Sequence, residues 1–152
     1  MLQKRDGIIF DNAILEEGAV ELEGEELLDF ELKEAREKKC QEVEELIDQN
    51  MTITIQGQDY QIFNDAKTRN LLLAKIAVLQ NKIDENLVTE AEATFLFKIN
   101  KTETVDLAIA EIREVLTLLD DERQSQFDEC QTTQENIRNL ASTTEVEEYP
   151  ID

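Results

Sequence analysis

The chain has 152 residues and is strongly acidic, with 36 Asp and Glu against 15 Lys and Arg and a formal net charge of −21. This length is enough for one domain with a real core, and hardly for two. A negative field repels phosphate backbones and anionic lipid, so binding of nucleic acid or of a membrane surface is disfavoured. A soluble protein that meets basic partner surfaces is the main interpretation, and an acidic mimic of nucleic acid is the lesser one.

Several kinds of chemistry lack their usual residues. There is no His, which removes the usual general base and the commonest metal ligand. The four Gly do not have the spacing of a phosphate-binding loop. Cys40 and Cys130 lie in helical patterns outside any metal-type cluster, which indicates core cysteines in a reducing cytoplasm. We therefore predict no enzyme, no cofactor and no metal site.

Carboxylates are the remaining candidates for acid–base chemistry, and the densest cluster is Asp120-Asp121-Glu122. Adjacent positions on a helix do not face each other, and no calcium-loop pattern with its Gly surrounds the cluster. A solvated acidic patch is the prediction, and a small hydrolase using paired carboxylates is the minor alternative. No apolar run reaches the ~18–20 residues of a membrane span, and the N-terminus lacks a signal-peptide core.

Residues 1–23 are predicted to form an extended N-terminal arm. Three short apolar pieces, Gly7–Phe10, Ala13–Leu15 and Ala19–Leu22, are separated by polar residues. They are too small for an independent sheet, so we expect them to lie against the helices or against a neighbouring chain. Five of their side chains are candidate interaction residues: Ile8, Ile9, Phe10, Val20 and Leu22.

A first helix is predicted from Glu25 to about Gln49, where strong helix formers dominate and Gly and Pro are absent. Its apolar residues trace one narrow stripe at helical spacing on an otherwise charged surface. The stripe consists of Leu28, Leu32, Ala35, Cys40, Val43 and Leu46/Ile47.

A β-hairpin is predicted between Met51 and Phe63, because apolar and polar residues alternate on both sides of Gly57. Two registers are open. A turn at Gly57-Gln58 pairs Ile55 with Tyr60, whereas a turn at Gln56-Gly57 pairs Ile53 with Tyr60. The same side chains share the buried face in both registers.

A second helix is predicted after Asn64 and Asp65, which are N-cap candidates, and it ends near Asp84-Glu85-Asn86. Apolar residues cover more than half of its circumference from Leu71 to Leu79. This helix is therefore expected to be the most buried of all.

A second hairpin follows, with Phe95, Phe97 and Ile99 on one face and a return strand from Thr102 to Val105. Asp106 is the predicted N-cap of the longest helix, Leu107 to about Leu140. A helix of ~34 residues is ~50 Å long, so its distal half is expected to pack on another subunit or on the first helix. Phe127 on this helix is a candidate interaction residue.

The remaining residues, 141–152, are predicted to be an acidic C-terminal tail, with Tyr149 and Ile151 as candidate interaction residues. The predicted fold is thus α+β and mainly helical, with three long helices, two short β-hairpins between them, and extended N- and C-terminal arms. Residues 24–140 form the helix-hairpin-helix-hairpin-helix domain.

The chain from Leu32 to Leu140 resembles a family known from bacteriophage tails. The resemblance rests on a helix with Lys39-Cys40, a hairpin with a central Gly and an aromatic residue, and a following Asp-capped helix. The closing helix ends in Asn-Ile-Arg-Asn-Leu. The matching residues are Lys39, Cys40, Ile53, Ile55, Gly57, Tyr60, Phe63, Asp65, Arg69, Asn70 and Ile137. The family is a domain of unknown function that recurs in tail-fibre and tail-fibre-assembly proteins. Its members often have a Trp in the second hairpin; this chain has no Trp, and Phe97 lies near the corresponding position.

The resemblance implies a virion structural protein of the tail, as a baseplate, adaptor or fibre-attachment component that is assembled in the host cytoplasm. The implied partners are other phage tail proteins and further copies of this chain as a homo-oligomer. The acidic charge predicts no nucleic-acid and no membrane partner. The alternative is an assembly chaperone that binds tail-fibre subunits and is not retained in the particle.

Overall fold

The computed structural model describes residues 1–151 and is mixed α/β, about 51% helical and 21% strand. Within these residues there are four helices and three small antiparallel sheets. The α+β class is confirmed in this coarse form, but the predicted count of three helices is not. The elements are β1 (Leu2–Arg5), β2 (Ile8–Asp11), β3 (Val20–Glu21), α1 (Gly24–Glu45), β4 (Asn50–Ile55), β5 (Gln58–Phe63), α2 (Ala66–Asp84), β6 (Thr94–Lys98), β7 (Thr104–Ala108), α3 (Ile109–Arg138) and α4 (Thr143–Glu148).

The chain divides into two compact units. The first unit contains Met1–Leu46 together with the chain from Cys130 onward, and the second contains Ile47–Glu129. Helix α3 therefore contributes residues to both units. Each unit has its own cluster of buried apolar side chains.

The hairpin of the second unit, β4–β5, adopts the register in which Ile53 pairs with Tyr60 and Met51 with Ile62. Its turn is Gln56-Gly57, with φ of 52° and 78°. A two-residue turn with positive φ at both central residues is of type I′, and its backbone twist matches the twist of the flanking strands. The turn therefore selects one of the two registers that the alternation left open.

Replacing Gly57 with Ala is expected to lower the free energy of unfolding by about 1–2 kcal/mol, since a residue with a Cβ is strained at this φ. An added Cβ would meet nothing within 4 Å, so the backbone alone causes the loss. Urea denaturation measures it, with Gly57→Asn as the control that tolerates positive φ and loses less. An Ala variant as stable as the original chain would contradict a left-handed turn.

The second hairpin, β6–β7, covers the same core. Phe97 pairs with Val105 and Phe95 with Leu107. The predicted N-cap at Asp106 is wrong, because Asp106 lies inside β7 with its side chain on the exposed face. The strand continues through Leu107, which is fully buried, and α3 begins only at Ile109.

The core of the second unit lies between the two hairpins and two helices. Its fully enclosed side chains include Ile62 of β5, Leu72 of α2, and Ile112 and Leu119 of α3. Buried Asn64 donates a hydrogen bond of 2.7 Å to the carbonyl of Leu119, which ties the start of α2 to α3. The Asp65 carboxylate accepts from the Thr68 amide, so the predicted N-cap of α2 is confirmed.

The N-terminal strands form a sheet, with strand order β2-β1-β3, in contrast to the prediction of pieces too small for one. Gln3 lies on the middle strand, β1, and is 0% exposed. Its side chain accepts from the Glu16 amide and donates to the Ile14 carbonyl, at 2.9 and 2.8 Å. These bonds fix the connection between β2 and β3 against the sheet, so Ala13–Leu15 is a loop and not a strand.

The helical part of the first unit contains a cluster of Cys40 and Val43 from α1, Ile137 from α3 and Val146 from α4. The distal part of α3 thus packs on α1, which is one of the two predicted alternatives. The segment predicted as a tail contains α4, whose N-cap Ser142 accepts from the Glu145 amide. Val146 of α4 is 1% exposed.

Candidate interaction surfaces

The apolar residues of the N-terminal arm do not share one surface. In the sheet, Ile9 and Val20 both pair with Lys4, whereas Phe10 pairs with Gln3 and Ile8 with Arg5. Because neighbouring residues along a strand alternate between faces, Ile9 and Val20 lie on one face and Ile8 and Phe10 on the other. The two most exposed of them, Ile8 and Val20, therefore point in opposite directions.

The other predicted interaction residues are also dispersed. Leu22 is 3% exposed, so it is buried within its own chain. Tyr149 and Ile151 are half-buried against the cluster of the first unit. Phe127 lies in the second unit and is 54% exposed, beside a cleft of about 410 Å³ that it lines with Asp120, Arg123 and Gln124. Within the first unit these residues do not share one site, and Phe127 belongs to the second unit.

The largest departure from the sequence prediction is on α2, which was expected to be the most buried helix. Only Leu72 and Leu79 are buried, on the side that faces the core. The opposite side is exposed and mostly apolar, including Leu71 (41%), Leu73 (57%) and Val78 (48%). We call this surface the outer α2 face, which comprises Asn70, Leu71, Leu73, Ala74, Ala77 and Val78.

The charge on α2 also differs from that of the rest of the chain. Between its N-cap Asp65 and its last residue Asp84 there is no carboxylate, while Lys67, Lys75 and Lys82 lie along the helix. Lys75 is 4.8 Å from the centre of the Phe95 ring, and Lys67 and Lys82 are exposed. A chain with a net charge of −21 thus has one helix with an excess of positive charge.

Neighbouring helix α3 runs antiparallel to α2. The Arg113 guanidinium donates to the Gln80 side chain at 2.7 Å, and Arg69 lies 3.9 Å from the Asp120 carboxylate. As α2 advances from residue 69 to residue 80, its contacts on α3 move back from residue 120 to residue 113. These polar contacts lie along one edge of the outer α2 face and leave the face itself uncovered by α3.

Two basic residues of α1, Arg36 and Lys39, bind backbone carbonyls of the first unit. Arg36 donates to the Leu140 carbonyl, and Lys39 donates to the Glu147 carbonyl at 3.1 Å. Both acceptors lie at or just beyond the C-terminal end of a helix, where carbonyls lack helical partners and a positive charge is favourable. Arg36 and Lys39 therefore hold the end of α3 and α4 in place.

A cleft of about 630 Å³ lies beside Cys40 in the first unit, lined also by Lys33, Arg36, Gln134 and Arg138. Burial raises the pKa of the Cys40 thiol above its ordinary value, which disfavours the reactive thiolate. The thiol lies 3.8 Å from the Gln134 carbonyl, and Gln134 in turn donates to the Cys40 carbonyl at 3.1 Å. Burial also raises the pKa of Cys130. Both cysteines thus belong to the helix packing.

The carboxylate cluster at Asp120-Asp121-Glu122 is spread around α3. Asp120 faces Arg69, whereas Glu122 accepts from Gln126 one turn further along the same helix. Among residues 1–151, no group of three His, Cys, Asp or Glu side chains has the geometry to hold a metal ion. Across the same residues, no helix combines the length and apolar character needed to cross a membrane.

Compared with protein-family models, curated proteins and solved structures, the chain matches none.

Proposed function

We propose that this chain is a structural protein of a bacteriophage tail, a baseplate, adaptor or fibre-attachment component that acts through protein–protein contacts and not as an enzyme. The biological setting in this proposal comes from the resemblance of the segment from Leu32 to Leu140 to the family found in bacteriophage tail proteins. The observation that carries the mode of action is the outer α2 face, an apolar helix surface that nothing in its own unit covers.

The energetic reason lies in three half-exposed side chains. Full burial of a Leu or Val side chain contributes roughly 1.5–3 kcal/mol, so each of Leu71, Leu73 and Val78 has on the order of 1 kcal/mol still to gain. An exposed contiguous apolar surface on an otherwise charged protein is typical of a binding surface. A partner that covers the face gains this energy without displacing any part of the second unit's core.

Charge supports the choice of surface. Elsewhere the chain carries the excess of carboxylates that gives its net charge of −21, and such surfaces repel other acidic surfaces. The outer α2 face lacks carboxylates and is bordered by Lys67 and Lys82. An acidic partner is therefore repelled less at α2 than at the carboxylate-rich parts of the chain.

Quantitative mass spectrometry of purified tail particles tests the proposal. The chain is expected to stay with the particles through a density gradient, at a fixed ratio to other tail proteins. A chain found with fibre subunits in the lysate but absent from the particles would instead support the assembly chaperone. A chain found with neither would contradict both functions.

A further inference from the structure

The exposed side of α2 contains a regular line of residues with alternating spacings of three and four. The line is Lys67, Asn70, Ala74, Ala77, Asn81 and Asp84, and every member is exposed. Spacings of three and four place side chains along one seam of a helix, as in a coiled coil. Leu71 and Val78 border the seam on one side and Leu73 on the other, while Leu72 and Leu79 point away from it into the core.

We propose that the outer α2 face binds the same face of a second copy of this chain, with the two α2 helices antiparallel. The inference rests on the proposed function, because it names a partner for that surface.

The order of residues along the seam favours the antiparallel arrangement. When two such seams meet antiparallel, Lys67 lies level with Asp84 of the second copy, Asn70 with Asn81, and Ala74 with Ala77. The three pairs are thus an ion pair, a pair of side-chain amides and a pair of methyl groups. Because the two copies are related by two-fold symmetry, each pair occurs twice in the dimer. In a parallel pair, Lys67 would lie level with Lys67 and Asp84 with Asp84, which places like charges together.

Side-chain size supports the same arrangement. Ala74 and Ala77 at the centre allow the two helix axes to approach to about 8 Å, the short end of the range for packed helices. At that distance the larger flanking residues reach across, so that Leu71 lies near Val78 of the second copy. The exposed apolar side chains of the face are then covered together.

The net charge predicts how association depends on salt. Two copies that each carry a net charge of −21 repel, and salt screens that repulsion. Salt also weakens the Lys67–Asp84 pairs, but ion pairs between exposed side chains contribute little. Dimerisation is therefore expected to strengthen as salt is added. An acidic helix from a different protein would be attracted to Lys67 and Lys82, and its binding would weaken with salt. The sign of the salt effect therefore distinguishes the two occupants.

The interface is small. Helix α2 has 19 residues and is about 28 Å long, which covers less than the ~800 Å² per partner of a standard interface. We therefore expect a weak dimer that forms at high concentration, as inside an assembled particle.

Sedimentation equilibrium of the full chain over a range of concentrations, at about 0.05 M and about 0.5 M salt, tests the inference. A monomer–dimer equilibrium that tightens at high salt is expected. Ala77→Glu should weaken it by roughly tenfold or more, because it places a carboxylate in the seam of each copy. The matched control is Ala110→Glu, the same exposed helical change on α3, which should leave association unchanged.

A charge exchange tests the orientation. Lys67→Asp should weaken the dimer, and Lys67→Asp combined with Asp84→Lys should restore it, because each ion pair is re-formed with its signs reversed. Circular dichroism verifies that the variants fold. A monomer at all concentrations, a dimer that salt weakens, or a double variant that is not restored would overturn the inference.

The dimerisation experiment and the mass spectrometry of tail particles can fail independently of each other. A monomeric chain that still remains with tail particles refutes the α2 dimer and leaves the tail role intact. A dimer that responds to the substitutions as expected, from a chain absent from particles, supports the α2 dimer and refutes the tail role.

Discussion

Replacing Leu119 with Ala is expected to lower the free energy of unfolding by about 2–5 kcal/mol. Leu119 is 0% exposed and belongs to the core of the second unit with Leu72 and Ile112. Removing its side chain loses the transfer free energy of the deleted atoms and leaves a cavity. We expect a loss near the upper end of this range, because buried Asn64 donates a hydrogen bond to the Leu119 carbonyl and so limits the movement of the backbone that could fill the cavity.

Urea denaturation followed by circular dichroism measures the loss as a lower transition midpoint with an unchanged slope. The matched control is Leu118→Ala, one residue earlier on α3 and 40% exposed, which removes the same atoms from a partly solvated position. Its expected loss is well below that of Leu119→Ala. Equal losses at the two positions would contradict the placement of α3 against the core.

Replacing Val146 with Asp is expected to detach α4 and to expose Cys40. Val146 is 1% exposed and shares its cluster with Cys40, Val43 and Ile137. An ionised carboxylate placed there has no partner, and its burial costs several kcal/mol. Helix α4 has only six residues, so its separation from the cluster costs less than the burial of the charge.

Alkylation with mass mapping measures the exposure of Cys40. In the intact chain burial raises the pKa of this thiol, so little thiolate is present at neutral pH. When α4 detaches, the pKa falls toward its ordinary value and the reagent gains access, so the rate should rise roughly tenfold or more.

The control for this measurement is Thr144→Asp, which adds the same charge at an exposed position of α4 and should leave the rate unchanged. An unchanged rate in the Val146 variant would show that α4 does not cover Cys40.

Local patterns predicted the second unit well where geometry is set by nearby residues. Alternation around Gly57 predicted the β4–β5 hairpin, and Asp65 predicted the start of α2. The register remained open, because only the left-handed conformation of Gln56 and Gly57 distinguishes the two pairings. Asp106 has the residue type of a helix cap, but Val105 and Leu107 on either side of it pair with Phe97 and Phe95 of β6, which keeps Asp106 in the strand.

Two missed elements had signals in the sequence. Asp6-Gly7, with φ of 52° and 82°, forms the turn of the β1–β2 hairpin, and Asp-Gly between apolar runs is a strong hairpin signal. Ser142 followed three residues later by Glu145 is a helix-start pattern. Glu145 reaches back to accept from the Ala141 amide, which completes the cap of α4.

The candidate surface could not be predicted from periodicity alone. The run from Leu71 to Leu79 shows that α2 is apolar around much of its circumference, but not which elements cover each side. In the structure the hairpins and α3 cover the side of Leu72 and Leu79, and nothing in the second unit covers Leu71, Leu73 or Val78. The apolar character of α2 thus reflects two different surfaces, one that is buried in the core and one that is exposed.

The division of the chain has a consequence for its synthesis on the ribosome. The second unit is one continuous stretch, Ile47–Glu129, and all of its buried core residues have been made once Glu129 leaves the exit tunnel. The first unit needs α1, which is made early, and Ile137 and Val146, which are made late. Until those late residues emerge, nascent α1 exposes Cys40 and Val43, so this stretch is where a translating chain most needs protection from aggregation.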